Sequence, residues 1–388
     1  VQFCLFFLQF CLFFHSILFF FFLILSFFFS IFSFSQQVKY VDFLTCTASL
    51  YPNFEEKSIS GNVTYEFKVK QILDTIKIDA KNIEFSDVMI NGKLVKFKNS
   101  GKTLDLFEGF SKGKNKLTFQ YTAIPKQTLY FIGQDENRQI WTQGQGKYTS
   151  HWLPSFDDVN EKVVFNLSIK FQNGYNVISN GVFKNVNHKR NGYENGFSTY
   201  NFQMQQPMSS YLVMLAIGKF EKQFTTTQSG TSLEFYLDKN DVTKFEPTYR
   251  YSAALFDYLE QEIGVKYPWG IYRQVPVRDF LYAGMENTTS TIFAQDYFVN
   301  ESGYNDRKFI NVNAHELAHQ WFGDKITCGT WKDIWLNESF ATYLASLVYE
   351  NFDGTATFVS DKTNMINYIT SAPDGAVYLT DTEATNVN

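Results

Sequence analysis

The sequence changes period near Asn240, and that change commits the chain to an α+β architecture. Upstream, Asn62 to Lys70 alternates apolar and polar residues, the two-residue period of a half-buried strand. Similar runs recur at Asp74–Asp79, Leu117–Tyr121, Val163–Phe171 and Tyr200–Met204. Between them Asn91-Gly92, Lys112-Gly113-Lys114 and Asn173-Gly174 predict hairpin connections. Short strands punctuated in this way predict an antiparallel β sandwich or saddle over residues 36–240. Downstream, apolar residues recur at helical intervals over Phe245–Ile263, Phe309–Phe322 and Asp333–Phe352. They predict a mainly helical domain over residues 241–388, and a chain of 388 residues has room for both.

The helical half carries the pentapeptide His315-Glu316-Leu317-Ala318-His319. Residues four apart share one face of an α-helix, so both imidazoles can reach a single metal ion from one rigid element. Glu316 can then enter the same cleft without being a ligand. The pattern alone arises by chance in unrelated helices, but the chain has only 5 histidines, and two of them fall at this spacing around a glutamate. A zinc site also needs a third protein ligand and an open position. The next helical run, Trp331 to Tyr343, supplies Glu338, 19 positions after His319. Its neighbours Trp335, Leu336, Phe340 and Ala341 predict an apolar setting, in which a carboxylate needs a partner.

Two further segments are less specific. In Tyr282-Ala283-Gly284-Met285-Glu286-Asn287, a glycine before a glutamate permits close backbone approach to a bound chain, and the carboxylate offers a charge to an ammonium group. Taken without the metal motif, it is an ordinary strand edge with a surface acid. Gln143-Gly144-Gln145, ahead of His151 to Asp158, reads by itself as a polar turn leading to a strand.

Together, His315 to Asp324, Trp331 to Tyr343, Ala283 to Asn287 and Gln143 to Asp158 closely resemble the aminopeptidase N-like zinc metallopeptidases, a family that includes the leukotriene hydrolases. The four motifs occur in the family's order, and the resemblance covers the chain beyond its first residues. It implies a saddle-like β-domain followed by a thermolysin-like catalytic domain. It also implies one zinc ion per chain on His315, His319 and Glu338, with Glu316 as general base. Glu286 and Gln145 would bind the free α-amino group of a peptide, with Ala283, Gly284, Met285 and Asn287 forming the rest of the substrate segment. The sequence departs from the family at Ala283, where glycine is usual, and at Gln145, where many members have glutamate. The family's transition-state tyrosine lies further beyond the third ligand than this chain extends, so Tyr368 and Tyr378 read as ordinary aromatics and the chain as a C-terminally truncated member. The function so implied is zinc-dependent removal of N-terminal residues from peptides. Its alternatives are a non-catalytic zinc-binding interaction fragment and an endopeptidase or epoxide hydrolase built on the same core.

Composition bounds the remainder. Of 43 phenylalanines many crowd the first 35 residues, which carry no Asp, Glu, Lys or Arg. Small residues at Ser33 and Ser35 close this run as an export signal would. The expectation is an exported protein, secreted or periplasmic, with a membrane anchor as the alternative because the run exceeds the ~20 residues needed to span a bilayer. A net charge of −5 gives no reason to expect nucleic acid as a partner. Outside the leader, Cys46 and Cys328 read as two buried, unpaired thiols.

Overall fold

The computed structural model describes residues 37–146, 148–187, 196–303 and 308–371; the apolar leader and Tyr378 lie outside them. The first half is built on a nine-stranded sheet. Its spine is the long antiparallel hairpin Val41–Asn53 and Ser58–Val69, extended on one side by Gly113–Ala123 and Ile83–Ile90. The strand Lys162–Gln172 shows why the sequence pattern was readable: Val163, Phe165, Leu167, Ile169 and Phe171 are buried while the residues between them are not. This strand pairs with Val41–Asn53 in parallel, from Thr45 opposite Val164 to Leu50 opposite Ile169, so the sheet is not purely antiparallel. A parallel neighbour needs a long crossover rather than a tight turn, and more than a hundred residues separate the two strands here.

Of the three expected hairpin turns only one is a hairpin. Asn91 and Gly92 both take positive φ, 52° and 78°, and join two paired strands, the geometry of a type I′ turn. Gly113 instead opens a strand, and Asn173-Gly174 leads from the large sheet to Asn176–Ser179 in a separate four-stranded sheet. Turn residues mark where the chain bends, but not which strand it pairs with next.

The second half adds a five-stranded mixed sheet to its helices, in the order Phe220–Thr226, Ser232–Asp238, Ile271–Val277, Ser290–Ala294, Gly284–Met285. Two strands of this sheet precede residue 240, where the sequence period changes. The parallel pair Ser232–Asp238 and Ile271–Val277 is joined by helices α1 (Phe245–Tyr249) and α2 (Ser252–Ile263). These are two pieces, with a turn at Arg250 and Tyr251, where the sequence period predicted one helix. Three further helices follow: α3 (Lys308–His319), α4 (Ile334–Asp353) and α5 (Thr355–Ser371).

The halves share apolar contacts. Trp141, Ile178 and Ala216 from the four-stranded sheet, with Met214 just before its strand Leu215–Gly218, pack with Phe220, Tyr236, Val275, Val277 and Ile292 from the five-stranded one. Arg273 adds a polar tie. It is buried, donates to the carbonyls of Gly181 (2.7 Å) and Ser179 (3.3 Å), and pairs with Glu234 at 2.9 Å. Cys46 and Cys328 are both buried and unpaired. No helix among the described residues is long and apolar enough to cross a membrane.

Candidate active site

The sequence expected α3 to run to Phe322, but it ends at His319. Gln320 N and Trp321 N turn to the carbonyls of Leu317 and Ala318, each at 3.1 Å, the tighter i to i−3 closure common in a last helical turn. Gly323 then takes a φ of 143°, and a Cβ there would stand 3.0 Å from His319 Nδ1. Its absence lets the chain fold back onto the ring, where His319 Nδ1 lies 3.0 Å from the carbonyl oxygen of Phe322. Helix α4 faces α3 with a buried stripe at Asn337, Ala341, Leu344, Ala345 and Val348, the spacing of one helical face. Glu338 borders that stripe.

These two helices bring His315 Nε2, His319 Nε2 and Glu338 Oε2 into a triangle with edges of 3.1, 3.4 and 3.5 Å. A four-coordinate zinc with bonds of about 2.0–2.1 Å has ligand-to-ligand edges of about 3.3–3.4 Å. The donor set and its spacing therefore fit that ion. Outer contacts orient the ligands: Thr342 Oγ1 lies 3.4 Å from His315 Nδ1, and Gln145 Nε2 donates to Glu338 Oε1 at 3.2 Å. The setting of Glu338 differs from the sequence expectation. Leu336 and Phe340 are exposed, and Glu338 itself is only partly buried. Two imidazoles and an amide are its partners, in place of an apolar shell.

The electrostatics match a site made for a cation. Burial raises the Glu338 carboxyl, but the hydrogen bonds to His315 and His319 outweigh it and hold the group well below the usual carboxylate range. Burial alone would lower His319, yet Glu286, Glu338 and Glu316 together raise it to about 10. His315 is lowered, chiefly by burial. Glu286 and Glu316 are both raised, again chiefly by burial.

A cleft of about 360 Å³ opens over the triangle, lined among others by Gln145, Ala283, Gly284, Glu286 and Glu316. Glu286 is 3% exposed, and its Oε1 has no hydrogen-bond partner among the described residues. Gly284 has a role that the sequence reading did not assign. A Cβ there would stand 2.5–2.6 Å from the carboxyl and Cγ of Glu316, so the space that glycine leaves open is taken by Glu316 itself. Of the other residues of this segment, Met285 and Asn287 turn their side chains to the interior. Met285 is buried with Sδ 4.0 Å from Gln143 Nε2, and Asn287 is fully buried with Nδ2 donating to Leu212 O. Tyr368, on α5, is 78% exposed.

Comparison with known proteins places this geometry. A family model described as the peptidase M1 N-terminal domain matches residues 44–212, and one described as the peptidase family M1 domain matches residues 248–378. "Probable aminopeptidase 1" of Sulfurisphaera tokodaii is 29% identical over 332 residues, which are 81% of this chain and 40% of that protein. The leucyl aminopeptidase of Saccharolobus solfataricus is 27% identical, over 70% of this chain and 34% of the relative. The glutamyl aminopeptidase of Rattus norvegicus is 30% identical, over 50% of this chain and 21% of the relative. The chain thus spans at most about 40% of the length of these curated relatives. In fold it is similar to an M1 zinc metallopeptidase mutant from Deinococcus radiodurans, with a TM-score of 0.74 and 20% identity, covering 88% of this chain and 78% of that one. Two models of one family, matched in order over the β-domain and over the helices that bear the triangle, show that the chain belongs to peptidase family M1, the aminopeptidase N-like zinc metallopeptidases.

Proposed function

We propose that this chain forms the zinc-binding catalytic core of an aminopeptidase, hydrolysing the first peptide bond of peptides with a free N-terminus. The observation that carries the reading is the pairing of two features in one cleft. A His315, His319, Glu338 triangle of zinc dimensions lies beside a buried carboxylate, Glu286, with an unpartnered oxygen. One zinc ion would be held by those three side chains. Bound there, it supplies Lewis-acid polarisation of a carbonyl and acidifies water to a pKa of ~7.

The chain's own residues do the rest. Glu316, packed against the bare backbone of Gly284, is placed to take a proton from the attacking water and deliver it to the leaving amine. Glu286 pairs with the substrate's ammonium group and fixes how far the chain reaches into the cleft. Gln145 steadies Glu338 and, at the cleft wall, offers its amide oxygen to the same ammonium.

The test is hydrolysis of a fluorogenic aminoacyl amide by the chain from Gln36 onward, beside the N-acetylated substrate and a chelator control. Cleavage of the free amine alone, abolished by chelator, is the expected result. Binding of zinc without cleavage of either substrate would reject the reading in favour of a zinc-binding interaction module. Export is part of the proposal and rests on the apolar run before Gln36. N-terminal sequencing of the protein recovered outside the cytoplasm tests it, and recovery from the cytoplasm alone would refute it.

A further inference from the structure

Gln320, the residue after His319, is completely buried, and both ends of its amide are engaged. Its Nε2 donates to the carbonyl of Glu286 at 3.0 Å and lies 3.4 Å from that of Asn287. Its Oε1 accepts from the backbone N–H of Thr289 at 2.9 Å and from the Tyr267 hydroxyl at 3.1 Å. The orientation is not arbitrary: an amide nitrogen cannot accept from Thr289 N–H, so the carbonyl end must face it.

The segment held in this way is unusual. Gly284–Met285 and Ser290–Ala294 belong to the sheet, but Glu286 to Thr289 form the bend between them and are 0–3% exposed. Buried backbone outside a ladder needs other partners. Gln320 supplies them from the side of the metal helix. Asn180 of the β-domain supplies them from the other side, donating to Thr288 O at 2.7 Å and to Leu212 O at 2.9 Å while accepting from Met214 N.

We propose that Gln320 is a positioning residue: its amide fixes the distance between the Glu286 carboxylate and the metal-ligand triangle, and so sets which peptide bond meets the metal. It is covalently next to the ligand His319 and hydrogen-bonded to the backbone of Glu286, so one side chain links the two centres. The inference rests on the functional reading above for the role of Glu286. Misplacement of about 1 Å in such a constellation costs roughly a hundredfold, which is why a backbone clamp matters here.

The test uses Gln320→Met, equal in length but without the amide, in the full chain. KM for the aminoacyl amide should rise about tenfold or more, and by more than kcat falls. The preference for free over N-acetylated substrate should drop, with zinc content unchanged. Hydrogen exchange across residues 286–290 should accelerate. Faster exchange with KM and preference unchanged would reduce Gln320 to a structural role and overturn the proposal. If Gln320→Met does not fold, Tyr267→Phe removes one of the two bonds to the amide oxygen; a smaller shift in the same direction supports the proposal and no shift overturns it. A wild type that cleaves neither substrate refutes the functional reading instead, and unchanged exchange in Gln320→Met would then overturn the clamp on its own.

Discussion

Gln145 and Glu338 meet across the domain boundary: the Gln145 amide donates to Glu338 Oε1 at 3.2 Å, while the other carboxylate oxygen faces both imidazoles. The β-domain thereby orients a ligand that sits on a helix of the other half. Outer partners of this kind typically change metal affinity 10–100-fold. Gln145→Ala should weaken zinc binding by about that factor, measured by competition with a chromogenic chelator. Unchanged affinity would leave Gln145 with a substrate role only.

Glu316 and the histidines should separate cleanly. His315→Ala or His319→Ala should lose zinc and turnover together. Glu316→Gln should keep zinc and reduce kcat by about 10²–10⁴-fold, as read by metal analysis and single-turnover kinetics on the same samples. Retained turnover in Glu316→Gln would remove it from the mechanism.

Glu286→Ala should raise KM for the free amine. A hydrogen bond between charged groups contributes about 1.5–3 kcal/mol, or roughly ten- to a hundredfold in binding. Cleavage of the N-acetylated substrate should change far less, so the ratio of the two specificity constants is the measurement. A ratio equal to wild type would place the ammonium elsewhere.

Glu161 gives a pH prediction far from the cleft. It is buried, accepts the N–H of Phe43 at 2.9 Å, and burial pushes its pKa up from 4.5 to about 8. A carboxyl whose folded pKa exceeds its unfolded one contributes full stability below about pH 4.5. That contribution is lost as pH rises to about 8, since the unfolded chain ionises first. Glu161→Gln keeps the acceptor and removes the slope. Between pH 5 and pH 8.5 its urea midpoint should gain on wild type, by up to a few kcal/mol in stability. Parallel midpoints at both pH values would show that Glu161 titrates normally.

Arg273 should be costly to remove. Its loss strips Glu234 of its buried partner, leaving it only the more exposed Lys222 as a counter-charge, and removes the donor to the carbonyl of Gly181. Breaking a buried pair from one side costs about 3–5 kcal/mol. Arg273→Met should lower the denaturation midpoint accordingly, and a shift below about 1 kcal/mol, the worth of a surface pair, would contradict this picture.

How much was legible depended on whether the signal was local. The strand Lys162–Gln172 and helices α3 and α4 followed from residue periods, and the His315, His319, Glu338 set followed from spacing along those helices, because both are properties of short stretches. What was not legible depended on distant partners. Gln320 and Asn180 are single polar residues in otherwise unremarkable runs, and only the fold shows that they grip Glu286 to Thr289 from opposite sides. Glu338 looked shielded by Leu336 and Phe340 because sequence neighbours on a helix point in different directions. That Glu316 fills the space of the missing Gly284 Cβ is likewise announced by nothing in the chain. The direction of pairing between Val41–Asn53 and Lys162–Gln172 was hidden for the same reason.

The apolar layer shared by Trp141, Ile178, Val275 and Ile292 has a consequence for how the two halves could ever be separated. Cut near residue 240, each piece would carry part of an interior on its surface, so neither should fold well alone. Heating should melt both in one transition, and a protease should find no intermediate to release. The β-domain is in this sense less an attachment to the peptidase half than the other wall of the same room.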